Sequence, residues 1–355
     1  MPARNSPLDS PADPPSLRPT RAQQAWGLVT PCLGVSLGGS HTQDQVERHR
    51  RWVLLAEAEG LHSVWLPEMH FTTGACAAPL IELAGYAAST RTLRFGTTSL
   101  LLPLHPPDPL AAEIAALDRL SRGRLLVGLG RGFNKRMLEA FDVPPAEKRD
   151  RFDAALDRIL ALWAEGNEKN TAFATFQKPH PPLAVAAFGP KGLSQAARRG
   201  LPYLASPVET LDQIADNQAR HRAELPDPSQ PSLSLVMRTV FVSDDANELA
   251  AARQSLAQEM SGRRTGMPRA IQKALDSPLN ERAVIGTTRE VTDRLIADQA
   301  RLGIDLLIVR PQFAKMDPAS LERSLIRLAQ EIWPAVTASA ASALSEPKLS
   351  PPLRA

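Results

Sequence analysis

A single (β/α)8 TIM-type barrel of α/β class is the fold this 355-residue chain predicts. Three observations predict it. Short apolar runs alternate with longer helical patterns eight times along the chain. The runs are apolar throughout rather than alternating, as strands buried on both faces require. No composition break or linker divides the chain, and barrels of this kind exceed the usual single-domain length. A doubly wound open sheet is the other arrangement of the same units.

The elements follow in order. Residues 1–25 carry Pro2, Pro7, Pro11, Pro14, Pro15 and Pro19 among mixed charges, without the apolar core of a signal peptide, and read as a disordered arm. The barrel domain spans 26–336. Its strands are expected at Leu33–Leu37, Ser63–Leu66, Leu93–Thr97, Arg124–Leu129, Leu183–Ala186, Tyr203–Ala205, Leu233–Val242 and Leu306–Val309. Helices are expected at Gln43–Glu59, Ala77–Ser89, Asp108–Leu120, Glu147–Glu165, Leu193–Arg199, Val208–Glu224, Asp245–Glu259, Arg289–Arg301 and Ser320–Ile332. Thr42 with Gln45, Ser206 with Glu209 and Thr287 with Glu290 have capping-box spacing, and Pro207 suits a first helical position. Gly60, Gly123, Gly200 and Gly303 follow helical segments, where a left-handed cap favours glycine. Residues 337–355, rich in Ala, Ser and Pro, read as a disordered tail.

Composition narrows the function. Hydrophobic residues make up 43% and charged residues 22%, which is globular. The net charge of +3 is small and spread out, which argues against a nucleic-acid surface. No apolar run reaches membrane-spanning length. Cys32 and Cys76 form neither a metal motif nor a disulfide framework, so a reducing, cytoplasmic setting is expected.

In such a barrel the active site lies at the C-terminal ends of the strands. There the chain places PEMHF (Pro67–Phe71), TTSLLLPLHPP (Thr97–Pro107), GLGRGFNK (Gly128–Lys135) and AAFGPKG (Ala186–Gly192). Glycines after a strand let the backbone approach a phosphate or a ring. A dinucleotide fingerprint would need a third glycine opening a helix and an acidic residue about 20 positions on, and it usually opens the fold, whereas GLGRG follows the fourth strand. A plain turn with a solvated arginine is the bland alternative. FGPKG runs from a strand end into a helix start, where free amides and the helix dipole favour an anion and Lys191 adds charge. An ordinary loop with an exposed lysine is its alternative. His70 follows an acidic residue in the second loop. A lone histidine is more often structural, but its place at a barrel mouth makes it a catalytic candidate with Glu68. His105, among prolines, reads as a loop residue. No metal-ligand spacing, nucleophile elbow or P-loop occurs.

These segments together resemble the bacterial luciferase family of flavin-dependent monooxygenases. The resemblance is carried by GLHSVWLPEMHFTTG (Gly60–Gly74), the run Arg91–Lys135 ending in GRGFNK, PHPPLAVAAFGPKGLSQAARRGLP (Pro179–Pro202), and VIGTTREVTDRL with GIDLLIVR. It extends from about Leu33 to Pro334. It implies FMN as cofactor, supplied reduced by a separate flavin reductase, and oxidation of a small organic substrate with dioxygen. It also implies a homodimer or a heterodimer with a related chain. The family's phosphate-holding arginine matches Arg131, with Gly130 beside it. The family's cis peptide under the flavin ring matches Thr98–Ser99. Gly189, Lys191 and Gly192 match the phosphate loop after the fifth strand.

Three departures qualify the transfer. Met69 stands where luciferase has its first histidine, which removes proton transfer at that position. Phe188, Gly189 and Gly192 replace acidic and hydroxylic phosphate ligands, so backbone amides and Lys191 have to serve. The stretch Gly166–Lys178 is short where relatives carry an extra strand. Two other functions therefore stand beside the monooxygenase. One is a deazaflavin-dependent oxidoreductase on the same barrel, which the GRGFNK order disfavours. The other is a non-catalytic flavin-binding partner subunit, which Met69 and the missing phosphate ligands keep open.

Overall fold

The computed structural model describes residues 19–39, 42–71, 76–229, 232–261 and 269–345. Its strands are β1 (Cys32–Ser36), β2 (Ser63–Leu66), β3 (Arg94–Leu101), β4 (Leu125–Gly130), β5 (Leu183–Ala186), β6 (Tyr203–Ala205), β7 (Leu235–Val242), β8 (Ala283–Gly286) and β9 (Leu306–Arg310). All the pairings are parallel. β1 to β7 pair in chain order, β7 pairs with β9, and β9 returns to β1. Eight strands therefore close into the expected barrel. β8, which the sequence pattern did not reveal, is a short ninth strand on Thr239–Val242, the C-terminal half of β7.

Side chains alternate between two cores, as the two-residue strand period dictates. Trp65, Leu126, Ala184, Leu204, Leu235, Met237, Leu306 and Ile308 pack together inside the barrel. Val35, Val64, Phe95, Val127, Val185 and Val309 face the surrounding helices. Gly96 lies inside with no room for a β-carbon, because the Trp65 ring covers it. The same alternation carries Ser36, Thr98, Gly130, Ala186 and Arg310 to the inner rim at the C-terminal end.

Nine helices follow the expected order: Gln43–Ala58, Pro79–Ala88, Pro107–Leu120, Lys148–Lys169, Pro190–Arg198, Leu211–Ala223, Ala246–Ser261, Thr288–Leu302 and Pro318–Arg327. Thr42 with Gln45 and Thr287 with Glu290 form capping boxes. Gly60, Gly123, Gly200 and Gly303 all have φ between 57° and 77°. The third expected box is corrected. The helix starts at Leu211, and Thr210 with Gln213 caps it. Ser206 and Glu209 instead close a preceding turn, the Ser206 N–H donating to Glu209 at 2.6 Å. Glu209 is pulled inward there, because the Tyr203 hydroxyl and Asn217 amide both donate to its other oxygen.

Further helices cover Arg21–Trp26, Lys135–Ala140, Arg269–Asp276, Leu279–Arg282 and Trp333–Ser345. The first corrects the expected disorder of residues 21–25. Thr20 caps it in a box with Gln23, and the Gln23 side chain donates to Asp305 at 2.8 Å. Trp26 is buried and stacks on Trp65, with centroids 6.5 Å apart and planes 15° apart. With Leu28 it plugs the N-terminal end of the barrel. An apolar surface that large repays ordering of a short arm. The helix Trp333–Ser345 likewise corrects the expected tail over 337–345. The expected disorder of residues 1–18 and 346–355 falls outside the described residues. No described helix is long and apolar enough to cross a membrane.

Candidate active site at the barrel mouth

Glu68 organises the loop after β2. Its side chain is fully buried, and among the described residues its carboxylate hydrogen bonds are all to N–H groups. Oε1 accepts from His70 Nε2 at 2.7 Å and from His105 Nε2 at 2.9 Å. Oε2 accepts from the Leu101 amide at 2.7 Å. The Glu68 amide donates to the Ser99 carbonyl at 3.2 Å, so the loop is tied to the end of β3 on both sides. His105 is thus part of the site rather than a plain loop residue. The sequence hid it because its partner is 37 positions away. Burial opposes charge on His105, but the bond to Glu68, the Glu68 charge and Glu113 outweigh it, so its pKa is raised.

Met69 sits between the two, its amide donating to the Cys76 carbonyl at 2.8 Å. Beside His70 stand two aromatic rings. Phe141 lies 4.8 Å away, and the exposed Phe71 lies 6.1 Å from both His70 and Phe141. Leu101, Leu104, Met137, Leu138 and Val143 form a separate apolar cluster packed by Phe141.

The Thr98–Ser99 peptide is cis, and the β3–β4 register slips between Thr98 and Leu100. A β-carbon on Gly130 would run into Ser99 Oγ, and one on Gly128 into the Thr97 carbonyl. Those two glycines are therefore a packing requirement of strand β4, not a nucleotide fingerprint. Thr98 Oγ1 is buried and has no hydrogen-bond partner among the described residues.

Arg131 leaves β4 and reaches the start of the helix Pro190–Arg198. Nη1 donates to Gln195 Oε1 at 2.9 Å and Nη2 to the Ala186 carbonyl at 3.0 Å. Gln195 is itself held by Asp153 at 2.6 Å. Burial first, then the like charge of Arg149, lowers the Arg131 pKa to about 10 against the pull of Asp153, so it stays positive near neutrality. Lys148, which sequence reasoning missed, stands nearby with Nζ donating to the Gly132 carbonyl at 3.2 Å. Burial and the charges of Arg131 and Arg149 lower its pKa.

Gly189 is the N-cap of that helix and Lys191 is exposed in its first turn. The Gly192 and Leu193 amides already donate to the Gly189 carbonyl, at 2.9 and 3.1 Å. The Gly192 amide is thus engaged within the first turn, and a β-carbon at Gly192 would meet the Arg131 guanidinium. The Gly166–Lys178 stretch is as short as expected. It carries no strand, and Gln177 ties it to Asp118 and to the carbonyl of Leu125, the first residue of β4. It packs at the end of the barrel opposite the mouth. Among the described residues no group of three His, Cys, Asp or Glu side chains is placed to hold a metal ion.

Comparison with known proteins agrees with the fold. Residues 29–306 match the model of the family described as luciferase-like monooxygenase. The oxygenase component of flavin-dependent trigonelline monooxygenase from Acinetobacter baylyi is 28% identical over 324 residues, covering 80% of this chain and 88% of that protein. The monooxygenase RslO1 from Streptomyces bottropensis superposes with a TM-score of 0.73 at 26% identity, over 85% of this chain and 99% of that one. The oxygenating constituent of 3,6-diketocamphane monooxygenase from Pseudomonas putida, solved with FMN, gives 0.72 at 19% identity, over 86% and 98%. A coenzyme F420-dependent tetrahydromethanopterin reductase from Methanopyrus kandleri shares the fold, with 0.64 at 16% identity over 86% and 99%.

Proposed function

The chain belongs to the luciferase-like monooxygenase family, and from that premise we propose that it is the oxygenase component of a two-component system. It takes reduced FMN from a separate flavin reductase and uses it with dioxygen to oxidise a small organic molecule. The observation that carries this reading is the partly buried Arg131 guanidinium, set into the gap left by Gly192 at a helix start. A fork of donors that stays positive near neutrality suits a phosphate, and the first helical turn adds partial positive charge. Lys148 and Lys191 add further charge nearby.

The rim also fits a flat ring. Thr98 Oγ1 is buried without a hydrogen-bond partner among the described residues, and Gly128 and Gly130 let β4 pack closely against the Thr97–Ser99 segment that would lie beside the ring. When bound, reduced FMN supplies the electrons that activate dioxygen. His70, with Nε2 on Glu68, keeps Nδ1 to hold or take a proton at the reacting molecule. Phe71 and Phe141 offer an apolar wall to an organic substrate. The two-component arrangement is supported by the name of the Acinetobacter relative. The F420 enzyme shares the fold alone, so the choice of FMN rests on that flavin-dependent relative together with Arg131. The reading carries with it a dimer, of this chain or with a related one, working in the cytoplasm beside its reductase. Arg131→Ala is expected to weaken FMN binding roughly 10- to 150-fold, the scale of a charged hydrogen bond. An unchanged Kd by flavin fluorescence titration overturns the role of Arg131.

A further inference from the structure

Four cationic side chains converge on the Arg131 end of the mouth. Gln195 joins two of them, its Oε1 accepting from Arg131 Nη1 at 2.9 Å and its Nε2 donating to the Arg149 carbonyl at 3.1 Å. Lys148 Nζ donates to the Gly132 carbonyl, next in the chain to Arg131, at 3.2 Å. Lys191 precedes Gly192, whose missing β-carbon makes room for the Arg131 head. None of the four forms an ion pair among the described residues. Asp153, the acid beside them, is held by Gln195 and Arg199, and Glu147 pairs with Arg151. Asp150 is exposed in the first turn of the helix Lys148–Lys169.

We propose that this end of the mouth collects the cofactor from free solution by its phosphate, with Arg131 and Lys148 as the seat and Arg149 and Lys191 as the charges that draw the anion in. The proposal rests on the reading of reduced FMN as the cofactor. The four divide by how they are held. The Arg131 and Lys148 heads are fixed on the Ala186 and Gly132 carbonyls, as a binding seat requires. The Arg149 and Lys191 heads have no hydrogen-bond partner among the described residues, and Lys191 is exposed. Charge decides what the outer pair is for. A phosphate monoester carries roughly two negative charges, which Arg131 and Lys148 already balance. The outer pair is therefore surplus to the seat, and unpaired like charges held together weaken the empty protein. What such a surplus does supply is attraction at a distance. At about 0.1 M salt it reaches roughly 10 Å from the surface. Steering of this kind raises association rates about 10- to 1000-fold. Free reduced flavin is lost to dioxygen, so the speed of capture decides how much of it reaches the site. A reductase then needs only to release reduced FMN into solution, without docking on this barrel.

The test is anaerobic stopped-flow binding of photoreduced FMN with no reductase present, followed by quenching of tryptophan fluorescence. Between about 20 mM and about 0.5 M salt the association rate of the unmutated protein is expected to fall at least about tenfold. Reduced riboflavin, the same ring without the phosphate, should associate at a rate indifferent to salt. In the double variant Arg149→Gln, Lys191→Gln the low-salt association rate is expected to fall about three- to tenfold, with dissociation within about twofold of the parent. Gln195 stays in place in that variant, because what it holds at position 149 is the main-chain carbonyl. Arg131→Ala should show the opposite signature, faster dissociation, because it empties the seat. FMN association that ignores salt, or a double variant whose loss lies in dissociation alone, overturns the proposal and leaves the cofactor reading standing. Absence of saturable FMN binding at any salt overturns that reading, and the proposal with it.

Discussion

The Arg131 guanidinium lies where a β-carbon on Gly192 would have to be, with Nη2 and Nη1 standing 2.5 and 2.6 Å from that position. The guanidinium cannot swing away freely, because Gln195 and the Ala186 carbonyl hold it. Gly192→Ala is therefore expected to displace the Arg131 head while leaving the helix start intact. FMN affinity should fall about tenfold, with the melting temperature little changed, since one misplaced charged hydrogen bond is worth about 1.5 kcal/mol. Equal affinity in fluorescence titration contradicts the placement of the phosphate at this pair.

Gly130 and Gly189 make a contrasting pair. A β-carbon at Gly130 meets Ser99 and Leu101, whereas one at Gly189 meets nothing within 4 Å at a φ of −154°. Gly130→Ala should cost about 1–3 kcal/mol by overpacking. Gly189→Ala should be close to neutral. Urea denaturation of both variants checks this, and an equal cost contradicts the close approach of β4 to Ser99.

His70→Ala is expected to lower turnover about a hundredfold, the lower range for a lost general base. FMN affinity should stay within about twofold of that of the parent protein. The two effects separate in steady-state kinetics run beside flavin titration. Undiminished turnover would move proton transfer to another group or to water.

What the sequence made legible follows physical locality. The barrel strands were readable because parallel strands buried on both faces are short apolar runs, and most helix ends because capping is decided within four residues. The misplaced start of the helix at Leu211 has the opposite origin, since Tyr203 and Asn217 draw Glu209 into a buried cluster that outranks the local box. Arg131, Gly192 and His70 were visible as residues, but not the fit of Arg131 into the space at Gly192. His105 and Lys148 were not visible as site residues at all. Their roles depend on Glu68 and Gly132, 37 and 16 positions away in the chain, which the fold brings to them. The helix Arg21–Trp26 was hidden by its proline-rich context and by the distance from Trp26 to Trp65 in the chain.

Trp26 provides a direct test of the plug at the N-terminal end. It is 3% exposed and stacked on Trp65 inside the barrel. Trp26→Ala should destabilise the protein by about 3–5 kcal/mol, the cost of emptying a buried aromatic site. A loss below about 1 kcal/mol in chemical denaturation would mean that the N-terminal segment is not part of the core.

Glu209 predicts a pH dependence. Burial pushes its pKa up to about 7, against the opposing bonds from Tyr203, the Ser206 amide and Asn217 and the charge of Arg238. The folded state then keeps a proton that the unfolded chain releases above a pKa of about 4.5. The folded protein binds more protons in that window, so stability is full below about pH 4.5 and falls as pH rises to about 7. The loss is of the order of 3 kcal/mol at 1.36 kcal/mol per unit. Glu209→Gln should flatten this slope, measured as melting temperature between pH 5 and 8. A slope unchanged by the substitution contradicts the assignment.

The central claim, that this barrel works with a flavin at the Arg131 end of its mouth, is tested most directly by anaerobic binding of the reduced cofactors. The purified protein is titrated separately with reduced FMN and with reduced F420, and the same titrations are repeated on Arg131→Ala. The account predicts saturable binding of reduced FMN with a micromolar Kd, about 8 kcal/mol of binding free energy, weakened at least tenfold in the variant. Saturable binding of F420 with none of FMN, or FMN binding indifferent to Arg131, contradicts it.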